Sequence, residues 1–274
     1  MKRRDFLITA GCACCGLILP GCQTAPITGR KQVSFYPESF LNRQAETAYK
    51  RLVARSEVSK DKAMTKEIND ITKNIIRSIK IYYEKINQPN PTQGFDWEVT
   101  LIENETINAF CFPGGKIGVF TGILPYTKTT GGMAALMGHE IAHAVAKHSI
   151  EGMSRSIVVE AGVSVADIFL GGVIGKTRDT IGQTTGMDVV QMGLVRPHGR
   201  QQETEADYLG LIFASMAGYN IYESVDLWKR MNAKSKGREI PQFLSTHPSS
   251  AQRIINLRGW IPDVKKQYPK ISDL

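Results

Sequence analysis

Apolar positions along the first half of the chain follow two spacings. Between residues 61 and 86, Ile68, Ile71, Ile75, Ile79, Tyr82 and Ile86 return every three or four positions, which predicts a helix with one apolar stripe. Residues 38 to 55 carry the same spacing. Gln88-Pro89-Asn90-Pro91 breaks the pattern, and Trp97 to Ile102 then alternates apolar and polar positions as a strand does. Ala109-Phe110-Cys111-Phe112, the turn Pro113-Gly114-Gly115 and Ile117 to Phe120 predict a further pair of strands. Helical spacing returns from Gly132 to about Ile150, from 201 to 218 and from 221 to 234. Residues 157 to 175 are apolar, but Glu160, Asp167 and Gly171-Gly172 interrupt them, so they read as a buried or lid-forming helix rather than a membrane span. Residues 176 to 200, rich in Gly and Thr, read as mobile. The fold class expected is α+β, mostly helical, with one small sheet and no internal repeat.

The first residues change this picture. Lys2-Arg3-Arg4 precedes an apolar run from Phe6 to Leu19, shorter than the roughly 20 residues a bilayer requires, which predicts an export signal. Leu19-Pro20-Gly21-Cys22 resembles a bacterial lipobox, with Cys22 as the lipidated residue, and Gln23 after it suggests sorting to the outer membrane. Arg3-Arg4-Asp5-Phe6-Leu7 also resembles a twin-arginine signal, leaving the export route open. The expected organisation is a lipoprotein signal over 1–22, an extended tether over 23–37 and one domain over 38–274. Cys12, Cys14 and Cys15 would leave with the signal and Cys22 would carry lipid, so Cys111 has no disulfide partner. Without Lys2, Arg3, Arg4 and Asp5 the net charge falls from +8 to +6, spread without a basic block. That distribution argues against nucleic-acid binding.

The chemistry is concentrated in His139-Glu140-Ile141-Ala142-His143. Two histidines four positions apart share one helix face and can reach one zinc ion. Glu140 lies about 100° around the helix from His139, beside the metal, where it can serve as general base for hydrolysis. Small apolar neighbours, Ala135-Leu136-Met137-Gly138 and Ala144-Val145-Ala146, suit a buried active-site helix.

A catalytic zinc needs a third protein ligand and an open position. The metzincin spacing is excluded, because Ala146 and Ser149 stand where its Gly and third His belong. His148 is five residues from His143, on another helix face, and reads as a solvated or capping residue. Glu203-Thr204-Glu205-Ala206-Asp207 opens a helix about 60 residues downstream, with Glu203 and Asp207 on one face. Glu203 is the better third ligand, and Asp207 then holds a ligand histidine by its other ring nitrogen. Glu205 points away and reads as a solvated charge, with ligation as its alternative.

Together these residues resemble the zinc metallopeptidase family that includes HtpX and the CAAX prenyl endopeptidases, in its periplasmic lipoprotein branch with BepA and LoiP. The resemblance rests on Thr28-Gly29-Arg30, Asn108-Ala109-Phe110 to Gly114-Gly115, Gly138 to His143, Glu203 to Asp207, and Thr246-His247-Pro248 followed by Arg253. It implies a gluzincin-type fold with a small sheet beside the motif helix and one zinc per chain. His139, His143 and Glu203 would be ligands, Glu140 the base and Asp207 a support. His247 would assist or regulate turnover, with Arg253 as its polar neighbour, and Asn108, Ala109 and Phe110 would form the edge strand that receives an extended peptide. The activity implied is cleavage of misfolded or misassembled envelope proteins on the periplasmic side. The alternative is an assembly factor with latent protease activity, partnered with the outer-membrane assembly machinery.

Overall fold

The computed structural model describes residues 22–25, 27–160, 198–234, 241–248 and 251–271. The signal and lipobox residues before Cys22, the expected lid helix from 161 onward and the Gly/Thr-rich stretch up to 197 lie outside them. Among the described residues no helix is long and apolar enough to cross a membrane.

Cys22–Thr24 (β1) and Lys31–Val33 (β2) pair antiparallel, with Thr24 opposite Lys31. The stretch expected to run extended is therefore a hairpin, and it packs on the domain through Thr28 and Arg30. Two helices follow, Glu38–Ala54 (α1) and Lys62–Lys85 (α2). The Asp61 carboxylate accepts from the Met64 N–H at 2.9 Å and satisfies one of the free donors of the first turn of α2. Ile68, Ile71, Ile75 and Ile79 are buried, as the spacing predicts. Tyr83 rather than Tyr82 continues the stripe inward, and Ile86 falls on the C-cap and is 40% exposed, because the helix ends before its next turn.

The sheet has three strands in the order β3–β5–β4: Glu98–Ile102 (β3), Ala109–Phe112 (β4) and Lys116–Phe120 (β5). β4 and β5 form the expected hairpin, with Gly114 and Gly115 at φ +81° and +86°, a conformation that favours glycine. β3 joins the other side of β5 in parallel, with Leu101 opposite Val119. β4 is thus a sheet edge.

A helical turn at Leu124–Thr127 (α3) leads into Thr130–Val145 (α4), whose N-terminus is capped by the Thr129 hydroxyl accepting from the Gly132 N–H at 3.0 Å. α4 is buried on nearly every side, which explains its apolar composition. Helices α5 (His148–Glu160), α6 (Arg200–Met216), α7 (Glu223–Lys234), α8 (Gln242–Thr246) and α9 (Ala251–Gln267) complete the described residues. α6, α7, α2 and β4 all pack on α4. The helix expected to run on to Ile150 is broken at Lys147, whose φ is +58°.

Candidate metal centre

α4 and α6 cross where Gly138 meets Gly210. A Cβ on Gly138 would lie 2.9 Å from the Gly210 carbonyl oxygen, and one on Gly210 would lie 2.9 Å from the His139 nitrogen. Only two glycines allow so close an approach, and it is this approach that sets the first turns of α6 against the histidines of α4.

His139 and His143 project from one face of α4 with Nε2 atoms 3.1 Å apart. Glu203, on the opening turn of α6, spans them: Oε2 is 3.5 Å from His139 Nε2 and Oε1 is 3.5 Å from His143 Nε2. His247, which caps α8, adds a fourth donor, and the four ligand atoms lie within 4.8 Å of one another. All four residues are buried.

Asp207 stands one turn after Glu203, with Oδ1 3.1 Å from His139 Nδ1. It is itself held by Arg253, whose Nε and Nη2 each donate to it at 2.7 Å. Arg253 Nη1 lies 2.6 Å from Glu203 Oε2, and its guanidinium sits 3.5 Å over the Trp228 ring. The resemblance implied Arg253 as a polar neighbour of His247; in the structure its guanidinium is engaged by both Asp207 and Glu203.

Burial would raise the Glu203 and Asp207 carboxyls, but Arg253 and His139 hold both below the usual range. Burial pushes Glu140 up to about 8. Burial would lower His139, but the Asp207 and Glu203 carboxylates beside it draw it up to about 9. Among the described residues, Glu203 Oε1, Glu140 Oε1 and His247 Nε2 are buried without hydrogen-bond partners. Unpaired buried acceptors of this kind are costly. The donors are imidazole nitrogens and a carboxylate, with no thiolate, a set that suits zinc.

Glu140 is aimed at the same space, with Oε1 3.6 Å from His247 Nε2. His247 Nδ1 is turned away, to Thr246 Oγ1 at 2.9 Å and the Phe243 carbonyl at 3.2 Å, which leaves Nε2 facing inward. Asn108, Ala109 and Phe110 are all buried. Asn108 Oδ1 accepts from the Ala109 N–H at 3.0 Å, and the Ile107 carbonyl accepts from the Phe243 N–H of α8 at 3.0 Å.

Two readings of the sequence are corrected here. His148 is neither solvated nor a cap: it is fully buried, with Nδ1 2.8 Å from His143 Nδ1 and Nε2 3.0 Å from Glu205 Oε2. The turn at Lys147 starts a new helix and swings His148 back toward His143, so spacing along a single helix did not apply. Glu205 is not a solvated charge but is 6% exposed, bound to His148, Thr28 and Arg30. His198 was missed. It stacks on His143 with ring centroids 4.1 Å apart, so all five histidines of the chain gather at this site. Its place just ahead of the Glu203 helix was the only signal.

Comparison with known proteins agrees with this geometry. A family model described as peptidase family M48 matches residues 64–261. The mitochondrial metalloendopeptidase OMA1 of Schizosaccharomyces pombe is 34% identical over 242 residues, 88% of this chain and 66% of that protein. OMA1 of Homo sapiens is 28% identical over 257 residues, 89% of this chain and 47% of its own length. The β-barrel assembly-enhancing protease of Escherichia coli is 26% identical over 165 residues, 58% of this chain and 33% of that protein. The chain thus spans about two thirds or less of these relatives, and the mitochondrial proteins match more strongly than the bacterial branch singled out by the sequence motifs. With the family model covering α4, the Glu203 helix α6 and Arg253 alike, the chain belongs to peptidase family M48.

Proposed function

We propose that this chain is a zinc-dependent endopeptidase that hydrolyses unfolded or misassembled cell-envelope polypeptides. The observation that carries the proposal is the convergence of His139 Nε2, His143 Nε2 and the Glu203 carboxylate in one buried space that Glu140 also faces. In this reading His139, His143 and Glu203 hold zinc. When bound, zinc supplies Lewis acidity and activates water for attack on a peptide carbonyl. Glu140 takes the proton from the attacking water and returns it to the leaving amine. Asp207 fixes the ring of His139 and Arg253 fixes Asp207. The edge strand β4, which carries Asn108, Ala109 and Phe110, receives the extended substrate through its outward backbone carbonyls at Ala109 and Cys111.

The cellular setting is part of the proposal. The lipobox-like ending at Cys22 supports a lipid-anchored protein on the periplasmic side of the envelope, at the outer membrane. The printed name of the Escherichia coli relative supports a link to β-barrel assembly. The test is cleavage of a denatured polypeptide and its folded form by the purified protein and by Glu140→Gln. Cleavage of the denatured form by the unsubstituted protein alone is expected, and equal cleavage by Glu140→Gln would overturn the assignment of Glu140.

A second reading is an assembly factor whose protease is latent. It is favoured by one segment: α8 covers the start of β4 through the Phe243 N–H, and its capping His247 brings a fourth donor to the metal space. A four-donor set has no open position. If Glu140→Gln fully restores assembly in cells lacking the protein, this reading gains over the first.

A further inference from the structure

Behind His143 runs a chain of polar groups that the proposed mechanism does not use, buried at His148, Glu205, Glu151 and Gln202 and reaching the surface at Arg30 and Thr28. For His143 Nε2 to face a cation, its proton must sit on Nδ1, and that atom lies 2.8 Å from His148 Nδ1. His148 Nδ1 must then accept, which places its proton on Nε2, where it donates to Glu205 Oε2 at 3.0 Å. Glu205 is kept an acceptor by Arg30 Nε at 2.7 Å and by the Thr28 hydroxyl. Arg30 in turn grips Glu151 with Nη1 and Nη2 at 2.8 and 2.7 Å. Gln202 ties the group together, donating to the His148 carbonyl at 3.2 Å and to Glu151 Oε2 at 2.9 Å.

His139 has an equivalent support, the Asp207 carboxylate clamped by Arg253. The support of His143 is longer by one imidazole, and its clamping arginine comes from the loop between β1 and β2.

We propose that His148 and Glu205, clamped by Arg30, are positioning residues that fix the tautomer and orientation of His143, so that the N-terminal hairpin completes the metal centre. This rests on the proposed metal centre and adds residues to it. Only one direction of donation satisfies every atom in the series. A group at position 148 that cannot accept leaves the His143 N–H unpaired and free to rotate. Glu205→Gln removes the negative charge that faces Arg30 and His148, and its amide fits only with its oxygen at the Oε2 position and its NH2 group turned to the Thr28 hydroxyl, which must then accept.

The test is zinc affinity of the full protein by chelator competition, with the absorption spectrum of the cobalt-loaded form and the melting temperature of the metal-free form beside it. His148→Phe, which keeps ring volume but removes the acceptor, is expected to weaken zinc binding about 10- to 100-fold and to alter the cobalt bands. His148→Asn, whose Oδ1 falls near the original Nδ1, is expected to recover most of the loss. Glu205→Gln is expected to weaken binding about tenfold, and it decides the matter if His148→Phe does not fold. Tight zinc binding by the unsubstituted protein with unchanged affinity in both His148→Phe and Glu205→Gln would overturn this proposal and leave the metal centre standing. Equal, weak binding by the unsubstituted protein and Glu203→Gln would instead overturn the metal centre, and the proposal with it.

Discussion

The Gly138–Gly210 crossing yields a prediction in which two effects compete. Gly210→Ala adds a Cβ at 2.9 Å from the His139 nitrogen, closer than real Cβ atoms essentially ever come, and 3.0 Å from the Gly138 carbonyl carbon, itself a tight contact. Relief requires α6 to move from α4 by about 0.5 Å, the tolerance within which a metal site must be held. Overpacking costs about 1–3 kcal/mol, while Ala gains about 1 kcal/mol over Gly inside a helix, so the net loss is about 0–2 kcal/mol. The fold should survive. Glu203 and Asp207 lie on α6 about two turns and one turn before Gly210, so they move with it and lose register with His139 and His143. Gly210→Ala is therefore expected to weaken zinc binding at least tenfold while lowering the melting temperature by only a few degrees. Gly259→Ala is the control, since its added Cβ meets nothing within 4 Å on the exposed face of α9. It is expected to leave zinc binding unchanged and to stabilise by up to about 1 kcal/mol. Unchanged zinc affinity in Gly210→Ala would refute the claim that this crossing sets the site.

Three further outcomes follow from the same contacts. Asp207→Asn is expected to weaken zinc binding about 10- to 100-fold in chelator competition, because His139 Nδ1 loses its charged acceptor. His247→Ala is expected to raise basal cleavage of a denatured polypeptide, because it removes the fourth inward donor; unchanged or lower cleavage would assign His247 to turnover instead. Burial would raise the Glu151 carboxyl, but hydrogen bonds from Arg30 and Gln202 hold it below its ordinary value of 4.5. A folded pKa below the unfolded one contributes stability that is complete above 4.5 and lost as pH falls below it. Glu151→Gln is expected to cost about 1.5–3 kcal/mol at neutral pH and to flatten the acid side of the stability curve, measured by denaturant titration.

The parts of the site that were legible in the sequence are those that one helix encodes. His139 and His143 share a face of α4, and Glu203 and Asp207 share a face of α6, so spacing alone brought out both pairs. The apolar stripe of α2 and the β4–β5 hairpin were legible for the same reason, being local periodicities closed by a cap or a turn. What spacing could not carry was any contact across a break in the chain. Lys147 adopts a positive φ and redirects His148, so facing arguments across it misplaced that residue. Glu205 was misread because its partners, Thr28 and Arg30, come from more than 170 residues earlier in the chain. The parallel pairing of β3 with β5 was hidden likewise, since alternation marks a strand without saying which neighbour it joins. Thr28-Gly29-Arg30 did stand out as a motif. A partly buried arginine calls for acidic partners, and asking which carboxylates could supply them would have led to Glu151 and Glu205.

The most direct test of the metal centre is X-ray absorption at the zinc edge on the purified protein and on Glu203→Gln. The expected spectrum of the unsubstituted protein has nitrogen and oxygen neighbours at about 2.0–2.2 Å, two of them imidazole, and no sulfur, with zinc lost or recoordinated in Glu203→Gln. A sulfur neighbour, or a spectrum unchanged by Glu203→Gln, would contradict the site built from His139, His143 and Glu203.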